Sequence, residues 1–299
     1  MGLSWNHWLP ARIQLGPWAR SQVRCTAILV VAAVLWPIAA QGQPAPIIGQ
    51  EGKDVPWVPT PDVLVETMLD MAGVTGDDFV IDLGSGDGRT VIEAATRGAR
   101  ALGVELEPNL VAASRQRAIE AGVGDRTAFL AVDLFTVDLS PATVITMFLL
   151  PDINTRLRPT LLGLAPGTRI VSNTWDMGGS DTDPDAPGWL PDETIVLNPC
   201  PSFCTALFWI VPANVGGTWR LDDEGGDVEL RLDQQFQMAS GQLRGNGRTQ
   251  DVEEGRLRGR AISFRIGDAR YQGEVNDAEM TGTVRRGNST TAWRARRSR

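Results

Sequence analysis

The sequence predicts an α/β domain, with a mainly parallel sheet covered by helices on both faces, followed by an all-β antiparallel meander or small barrel. Short apolar strands alternate with amphipathic helices from residue 61 to residue 172, and this alternation is typical of parallel sheets. Helical periodicity disappears after Pro212. Short alternating strands at regular spacing then continue to the C-terminus, as they do in meanders and small barrels.

The α/β part opens with a helix, because Pro61 and Asp62 suit a helix start and apolar residues recur at helical spacing through Met71. Apolar runs predict parallel strands at 78–83, 99–104, 127–131, 143–149 and 168–172. Helical patterns predict helices at 90–96, 108–121 and 154–164. Two more strand-like runs, 193–197 and 205–211, flank a turn and predict an antiparallel hairpin at the sheet edge.

The chain divides into four parts. Residues 1–42 read as a signal peptide or a membrane anchor, since three arginines precede an apolar run, 26–40, and a small-residue stretch. Residues 43–58 form a Pro/Gly-rich linker, 59–212 the α/β domain and 213–299 the β-rich domain. This order predicts an exported (periplasmic) or membrane-anchored protein that associates with a membrane through the apolar run. A cytoplasmic location is expected if the true start lies downstream of Met1.

Composition excludes several function classes. The net charge of -8 argues against nucleic acid as a partner. The single histidine, His7, lies near the N-terminus, so no core histidine base or ligand is available. Cys200 and Cys204 either close a short disulfide in the hairpin turn or stay reduced. Two cysteines are too few ligands for a zinc site, and we expect no metal.

A glycine loop connects the first parallel strand to the next helix. It runs Asp82-Leu83-Gly84-Ser85-Gly86-Asp87-Gly88. Glycines allow a sharp turn and a close approach of a ligand to the backbone. We therefore expect a side chain at Gly84 or Gly86 to fill space that a ligand needs.

Two acids follow the next two strands. Glu105 ends the second strand, where a carboxylate can accept hydrogen bonds from both hydroxyls of a ribose. Asp133 follows the third strand, where an acid can accept from an adenine amino group. Together with the loop they predict a nucleoside site. The alternative is that the acidic loop only caps a helix and that Glu105 and Asp133 are ordinary surface acids.

The charges of the loop indicate which nucleoside-containing cofactor the site favours. Asp82 and Asp87 place negative charge where a dinucleotide site would hold a pyrophosphate. That charge suits the amino group and sulfonium of S-adenosyl-L-methionine (SAM). The third glycine of the dinucleotide fingerprint is also displaced.

Residues 55–212 resemble class I SAM-dependent methyltransferases, and within them the small seven-β-strand protein-lysine methyltransferases of mitochondria and bacteria. The resemblance rests on residues 56–61 (PWVPTP), 82–89, 103–110 (GVELEPNL), 133–134 and 188–192 (GWLPD). It implies a Rossmann-like seven-stranded sheet and SAM as cofactor. Residues 213–299 lie outside the resemblance.

The resemblance also implies residue roles. Trp57, Pro59 and Thr60 should lie across the cofactor pocket, and Glu105 should hold the ribose. Asp133 and Leu134 should border the adenine. The residues expected along the methionine part are Asp82, Gly84, Ser85, Gly86 and Gly88.

Leu150, Pro151 and Asp152 follow the fourth strand, where an acceptor meets the methyl group at the carboxyl edge of such sheets. The chemistry needs mainly alignment of the acceptor with the methyl–sulfur axis. Asp152 or Asn173 can orient an amine. The alternatives are that Asp152 caps a helix and that Asn173 is a loop amide.

Three functions remain open from the sequence. The first is methyl transfer to an amine, in particular a protein lysine. The second is methyl transfer to a small molecule. The third is a non-catalytic, exported module that binds SAM or a nucleotide, because export would separate an enzyme from a cofactor made in the cytoplasm.

Overall fold

The computed structural model describes residues 58–178, 187–200, 202–223, 226–245 and 247–298 of the 299-residue chain. Trp57, the predicted targeting segment and all of the predicted linker except Val58 lie outside these residues. Within the described ranges, no helix is both long and apolar enough to cross a membrane.

The first domain is a seven-stranded sheet with helices. Its elements are α1 (Asp62–Met71), β1 (Phe79–Leu83), α2 (Arg89–Thr96), β2 (Arg100–Glu105), α3 (Pro108–Glu120), β3 (Thr127–Ala131), β4 (Val144–Met147), α4 (Pro151–Leu162), β5 (Arg169–Asn173), β6 (Glu193–Val196) and β7 (Thr205–Ile210). The strand order is β3-β2-β1-β4-β5-β7-β6. The first five strands are parallel, and β7 and β6 add an antiparallel edge. The predicted α/β fold and its edge hairpin are confirmed.

The central strands are buried because both faces of the sheet carry helices, whereas the edge strand β6 is exposed. β4 is buried along its whole length, and four of the five residues of β1 are buried. The register places Asp82 of β1 between Gly103 of β2 and Thr146 of β4. All five parallel strands therefore direct their carboxyl ends, and the loops that follow them, to one edge.

The start of the fourth helix differs most from the prediction. We expected the fourth helix at residues 154–164, but α4 begins at Pro151. Proline fits the first turn of a helix, because its fixed φ suits the helix and no hydrogen bond is lost there. The helix therefore starts directly after the loop that leaves β4.

The second domain is a closed barrel of eight antiparallel strands. The strands are β8 (Gly217–Asp223), β9 (Gly226–Gln235), β10 (Met238–Gly245), β11 (Arg248–Arg258), β12 (Ala261–Ile266), β13 (Ala269–Asn276), β14 (Glu279–Arg286) and β15 (Ser289–Arg297). β15 pairs with β8 and closes the barrel. Closure removes exposed strand edges, and the interior packs around Trp219, Phe264, Tyr271 and Trp293.

Candidate active site

The glycine loop after β1 is fixed by the neighbouring strand. The backbone amides of Gly84 and Ser85 both donate to the carbonyl of Val104, at 2.8 and 3.0 Å. The amide of Gly88 donates to Ser85 at 2.8 Å and closes the turn. Gly84, Gly86 and Gly88 all have positive φ, between 52° and 80°, which non-glycine residues adopt at a cost.

Glu105 connects the end of β2 to this loop. Its Oε2 accepts from the amide of Gly86 at 2.9 Å, and its Oε1 accepts from the amide of Glu107 at 2.9 Å. From the other side, Ser114 of α3 donates to the carbonyl of Gly86 at 3.0 Å. The Glu105 carboxylate is thus oriented at the carboxyl edge of the sheet, at the position expected to hold a ribose.

Asp82 is the buried acid of the site. It is 5% exposed and accepts a 2.7 Å hydrogen bond from Thr146 Oγ1. Burial raises the pKa of Asp82 from 3.8 to about 7, and the negative charges of Glu105 and Asp87 add to the rise against the hydrogen bond from Thr146. A carboxylate in these surroundings gains most from a cationic ligand.

Asp87 differs from its expected role. It forms ion pairs with Arg89 and Arg117. Burial tends to raise the pKa of Asp87, but the hydrogen bonds and charges of these arginines outweigh it and hold that pKa below its usual range. The two guanidinium groups compensate the charge of Asp87.

The segment before α1 closes one side of the loop. Arg89 Nη1 donates to the Thr60 carbonyl at 2.8 Å, and Asn173 Nδ2 at the end of β5 donates to Thr60 Oγ1 at 3.3 Å. Thr60 is buried and Pro59 is half-buried. Asn173 is fully buried and lies in β5, so it is not a loop amide. Thr60 thus lies between the glycine loop and β5.

Asp133 and Leu134 follow β3, as expected. Asp133 is exposed, and its Oδ1 accepts from the amide of Phe135 at 2.9 Å, which caps a short 3₁₀ turn, Leu134–Thr136. Leu134 is half-buried and packs against the main core. The acid and the apolar side chain therefore stand side by side at the carboxyl edge.

The predicted acceptor residues form the first turn of α4. Leu150 is the N-cap residue by backbone geometry and is 38% exposed. Pro151 and Asp152 follow it, and both are exposed. Asp152 is not the helix cap, and no side chain caps α4. Its carboxylate instead lies in the first turn, where the helix dipole favours a negative charge.

A side chain at two of the loop glycines would meet neighbouring protein atoms. A Cβ at Gly88 would lie 2.8 Å from Ser114 Cβ and 2.9 Å from Phe129, and one at Gly84 would lie 2.8 Å from Leu149 Cδ2. A side chain at Gly84 would therefore also displace Leu149, and its expected overlap with ligand space stays a prediction. Gly88 is required by packing and by its φ of 80°.

The side chain of Ser85 lies against the neighbouring strand. A Cβ at Gly103 would lie 2.6 Å from the Ser85 hydroxyl oxygen, so this buried side chain points onto β2. The role expected for Ser85 along the methionine part of SAM stays a prediction.

Sequence reasoning missed Thr146 and Arg89. Thr146 was hidden in an apolar strand, although a polar residue amid a buried run is a signal of a buried partner. Arg89 could be recognised only from the structure, where its guanidinium donates to the Thr60 carbonyl, to Asp62 and to Asp87. Within the described ranges, no group of three or more His, Cys, Asp or Glu side chains is placed to hold a metal.

Comparison with known proteins decides the family. Residues 82–184 match the ANTKMT methyltransferase domain. A protein-lysine N-methyltransferase of Saccharolobus islandicus is 41% identical over 144 residues, which are 47% of this chain and 84% of that protein. This chain belongs to the same methyltransferase family as that protein-lysine N-methyltransferase. It is a class I SAM-dependent methyltransferase, and SAM is its cofactor.

Two further similar proteins match about half of this chain or less. The adenine nucleotide translocase lysine N-methyltransferase of Mus musculus is 36% identical over 126 residues, 41% of this chain and 54% of that protein. A solved RNA methyltransferase of Salinibacter ruber, in complex with S-adenosyl-L-homocysteine, is 46% identical; the match covers 53% of this chain and 96% of that one, with a TM-score of 0.47. The family match over residues 82–184 ends before the barrel begins, so it assigns the barrel no role.

The donor set at the carboxyl edge fits SAM. Glu105 would offer its carboxylate to the ribose hydroxyls, and Asp82 would place negative charge near the amino group and the sulfonium. When bound, SAM supplies an activated methyl group, so the protein's contribution is alignment and exclusion of water.

Proposed function

We propose that this enzyme transfers a methyl group from SAM to the ε-amino group of a lysine in an acceptor protein. The observation that carries the proposal is the 41% identity to a protein-lysine N-methyltransferase over most of that relative's length. The net charge of -8 agrees with a basic acceptor side chain and opposes a polyanionic one.

The reaction needs little beyond positioning. The lysine nitrogen must arrive without its proton, since its lone pair forms the new carbon–nitrogen bond while the methyl–sulfur bond breaks. One proton leaves to solvent for each methyl group transferred. Leu150 offers an apolar surface to the methylene chain of the lysine, and Asp152 at α4 attracts the amine as it approaches.

The test is labelled methyl transfer with the full chain. The enzyme is incubated with methyl-labelled SAM and, separately, with soluble proteins, membranes, RNA and small-molecule extract. We expect label on lysine in a protein band located by mass spectrometry, and, at SAM concentrations below the Kd, about tenfold less label with Glu105→Gln. Label confined to the small-molecule or RNA fraction would overturn the lysine assignment.

We also propose that residues 1–42 direct export or anchor the enzyme in a membrane. The basic–apolar–small order of this segment supports the proposal. Fractionation of cells that produce the full chain tests it, with a variant that lacks residues 1–42 as the control. Equal soluble cytoplasmic recovery of both proteins would contradict it.

A further inference from the structure

The segment between β5 and β6 has no role in the fold or cofactor site described above. Its described parts are 174–178 and 187–192, and we call them the β5–β6 segment. It leaves β5 directly beside Asn173 and Thr60, so it begins at the site. Met177 and Trp189 are both fully buried and pair as an isolated β-bridge, which holds the two parts side by side.

Helix α4 holds this segment through two side chains. Asn154 donates to the carbonyls of Trp175 and Asp176 at 3.0 and 3.2 Å. Arg158, one turn later, donates to three carbonyls, those of Met177, Gly178 and Pro187, at 2.7 to 3.1 Å. Leu150 lies one turn before Asn154, so these hydrogen bonds join the segment to α4 directly beside the turn where we propose that the acceptor enters.

The barrel contacts the same segment through the turn between β9 and β10 and through one residue of β11. Phe236, between β9 and β10, stacks on Trp189 with ring centroids 6.2 Å apart and an interplanar angle of 14°. The guanidinium of Arg158 lies 5.4 Å from the centre of the Phe236 ring. The buried Gln237 donates to the carbonyl of Leu190 at 2.8 Å. Arg256 adds an ion pair to Asp192.

Phe236 occupies a backbone conformation that does not favour it. Its φ is 53°, and the two-residue turn it begins connects the pair Gln235 and Met238. Such turns favour glycine, asparagine or aspartate at positive φ. An aromatic residue held there points to a role for its side chain, since strain of this kind persists where the surroundings require it.

We propose that Phe236 and Gln237 are positioning residues for methyl transfer. The barrel turn fixes the β5–β6 segment, and the segment, through Asn154 and Arg158, fixes the first turn of α4 where the acceptor enters. The barrel is thus a structural part of the acceptor site, not an independent module. The kinetic arm of this inference rests on the proposed lysine acceptor, whereas the structural arm does not.

The structural arm is hydrogen exchange of the full chain. In Phe236→Ala we expect faster exchange in residues 187–192 and also in the first two turns of α4. Exchange in α2 and α3 and the Kd for SAM should stay unchanged. Met238→Ala, an exposed position of the same hairpin, is the matched control and should change neither. Exchange in α4 that is unaffected by Phe236→Ala would overturn the proposal.

The kinetic arm uses poly-L-lysine as the acceptor. Phe236→Ala should lower kcat/KM for poly-L-lysine about tenfold or more, because small misplacements of reacting groups are costly. The SAM Kd should stay within about twofold, and Phe236→Tyr should restore the rate, because it keeps the stacked ring. Arg158→Ala combined with Phe236→Ala should cost less than the sum of the two changes.

Each outcome has a distinct meaning. If the wild-type chain does not methylate poly-L-lysine, that result counts against the proposed acceptor, and hydrogen exchange still decides the positioning role. If Phe236→Ala is too unstable to purify, Gln237→Ala replaces it, because that change removes one hydrogen bond and leaves the ring stack. A normal rate together with normal exchange in Gln237→Ala would then contradict the inference.

Discussion

Asp82 and Thr146 face each other across neighbouring strands of the sheet, and Thr146 Oγ1 donates a 2.7 Å hydrogen bond to the Asp82 carboxylate. Despite this hydrogen bond, burial and the charges of Glu105 and Asp87 raise the pKa of Asp82 to about 7. The free enzyme therefore holds this carboxyl partly protonated at neutral pH. A cationic ligand beside it should displace that proton.

SAM affinity should accordingly increase with pH. Below pH 7 Asp82 must lose a proton before it can bind the cationic groups of SAM. The Kd should therefore fall by up to about tenfold for each unit by which the pH rises, and level off near pH 7. Calorimetry between pH 5.5 and 7.5, in buffers of different ionisation enthalpy, should detect proton release. Asp82→Asn should bind weakly and without this pH dependence. A pH-independent Kd in the wild-type enzyme would contradict the assignment of Asp82.

The raised pKa of Asp82 also predicts how the stability of the SAM-free enzyme depends on pH. In the unfolded chain Asp82 ionises near 3.8, whereas in the folded chain it keeps its proton to about pH 7. The contribution of Asp82 to the free energy of unfolding is therefore greatest below pH 3.8. It declines by up to about 4 kcal/mol as the pH rises to about 7. Asp82→Asn removes that decline. Its melting temperature should exceed that of the wild type more at pH 8 than at pH 5, and an equal difference would count against the shift.

The fold and part of the site could be predicted because they depend on local patterns. Apolar strands that alternate with helices determine the sheet, and the spacing from the glycine loop to Glu105 brings both to one edge. Asp87 shows the limit of such reasoning. Its partner Arg117 lies thirty residues away on α3, and no local pattern reveals that pairing.

The same limit applies between the domains. Trp189 belongs to the 188–192 motif that indicated the family, yet its contact with Phe236 of the barrel depends on how two separate folds pack.

The sequence left open whether Cys200 and Cys204 form a disulfide or stay reduced. In the structure they are bonded to each other.

Glu105 should be essential for SAM binding. Glu105→Gln removes the charge that ribose hydroxyls meet and turns an amide group toward the backbone N–H of Gly86 or Glu107. Hydrogen bonds to charged groups contribute about 1.5–3 kcal/mol, so the SAM Kd should rise at least about tenfold. Glu120→Gln, at the exposed end of α3, is the control and should bind normally. Calorimetry with both variants decides, and equal affinities would remove Glu105 from the site.

Gly88 and Gly122 provide a matched test of why the loop needs glycine. Their φ angles are similar, 80° and 73°, so alanine is strained at both positions by about 1 kcal/mol or more. An alanine Cβ at Gly122 meets nothing within 4 Å, whereas one at Gly88 overlaps Ser114 and Phe129. Gly88→Ala should therefore lower the melting temperature more than Gly122→Ala and weaken SAM binding, because Ser114 also holds the carbonyl of Gly86. Equal losses for the two variants would show that backbone strain alone, and not packing under the loop, requires glycine at position 88.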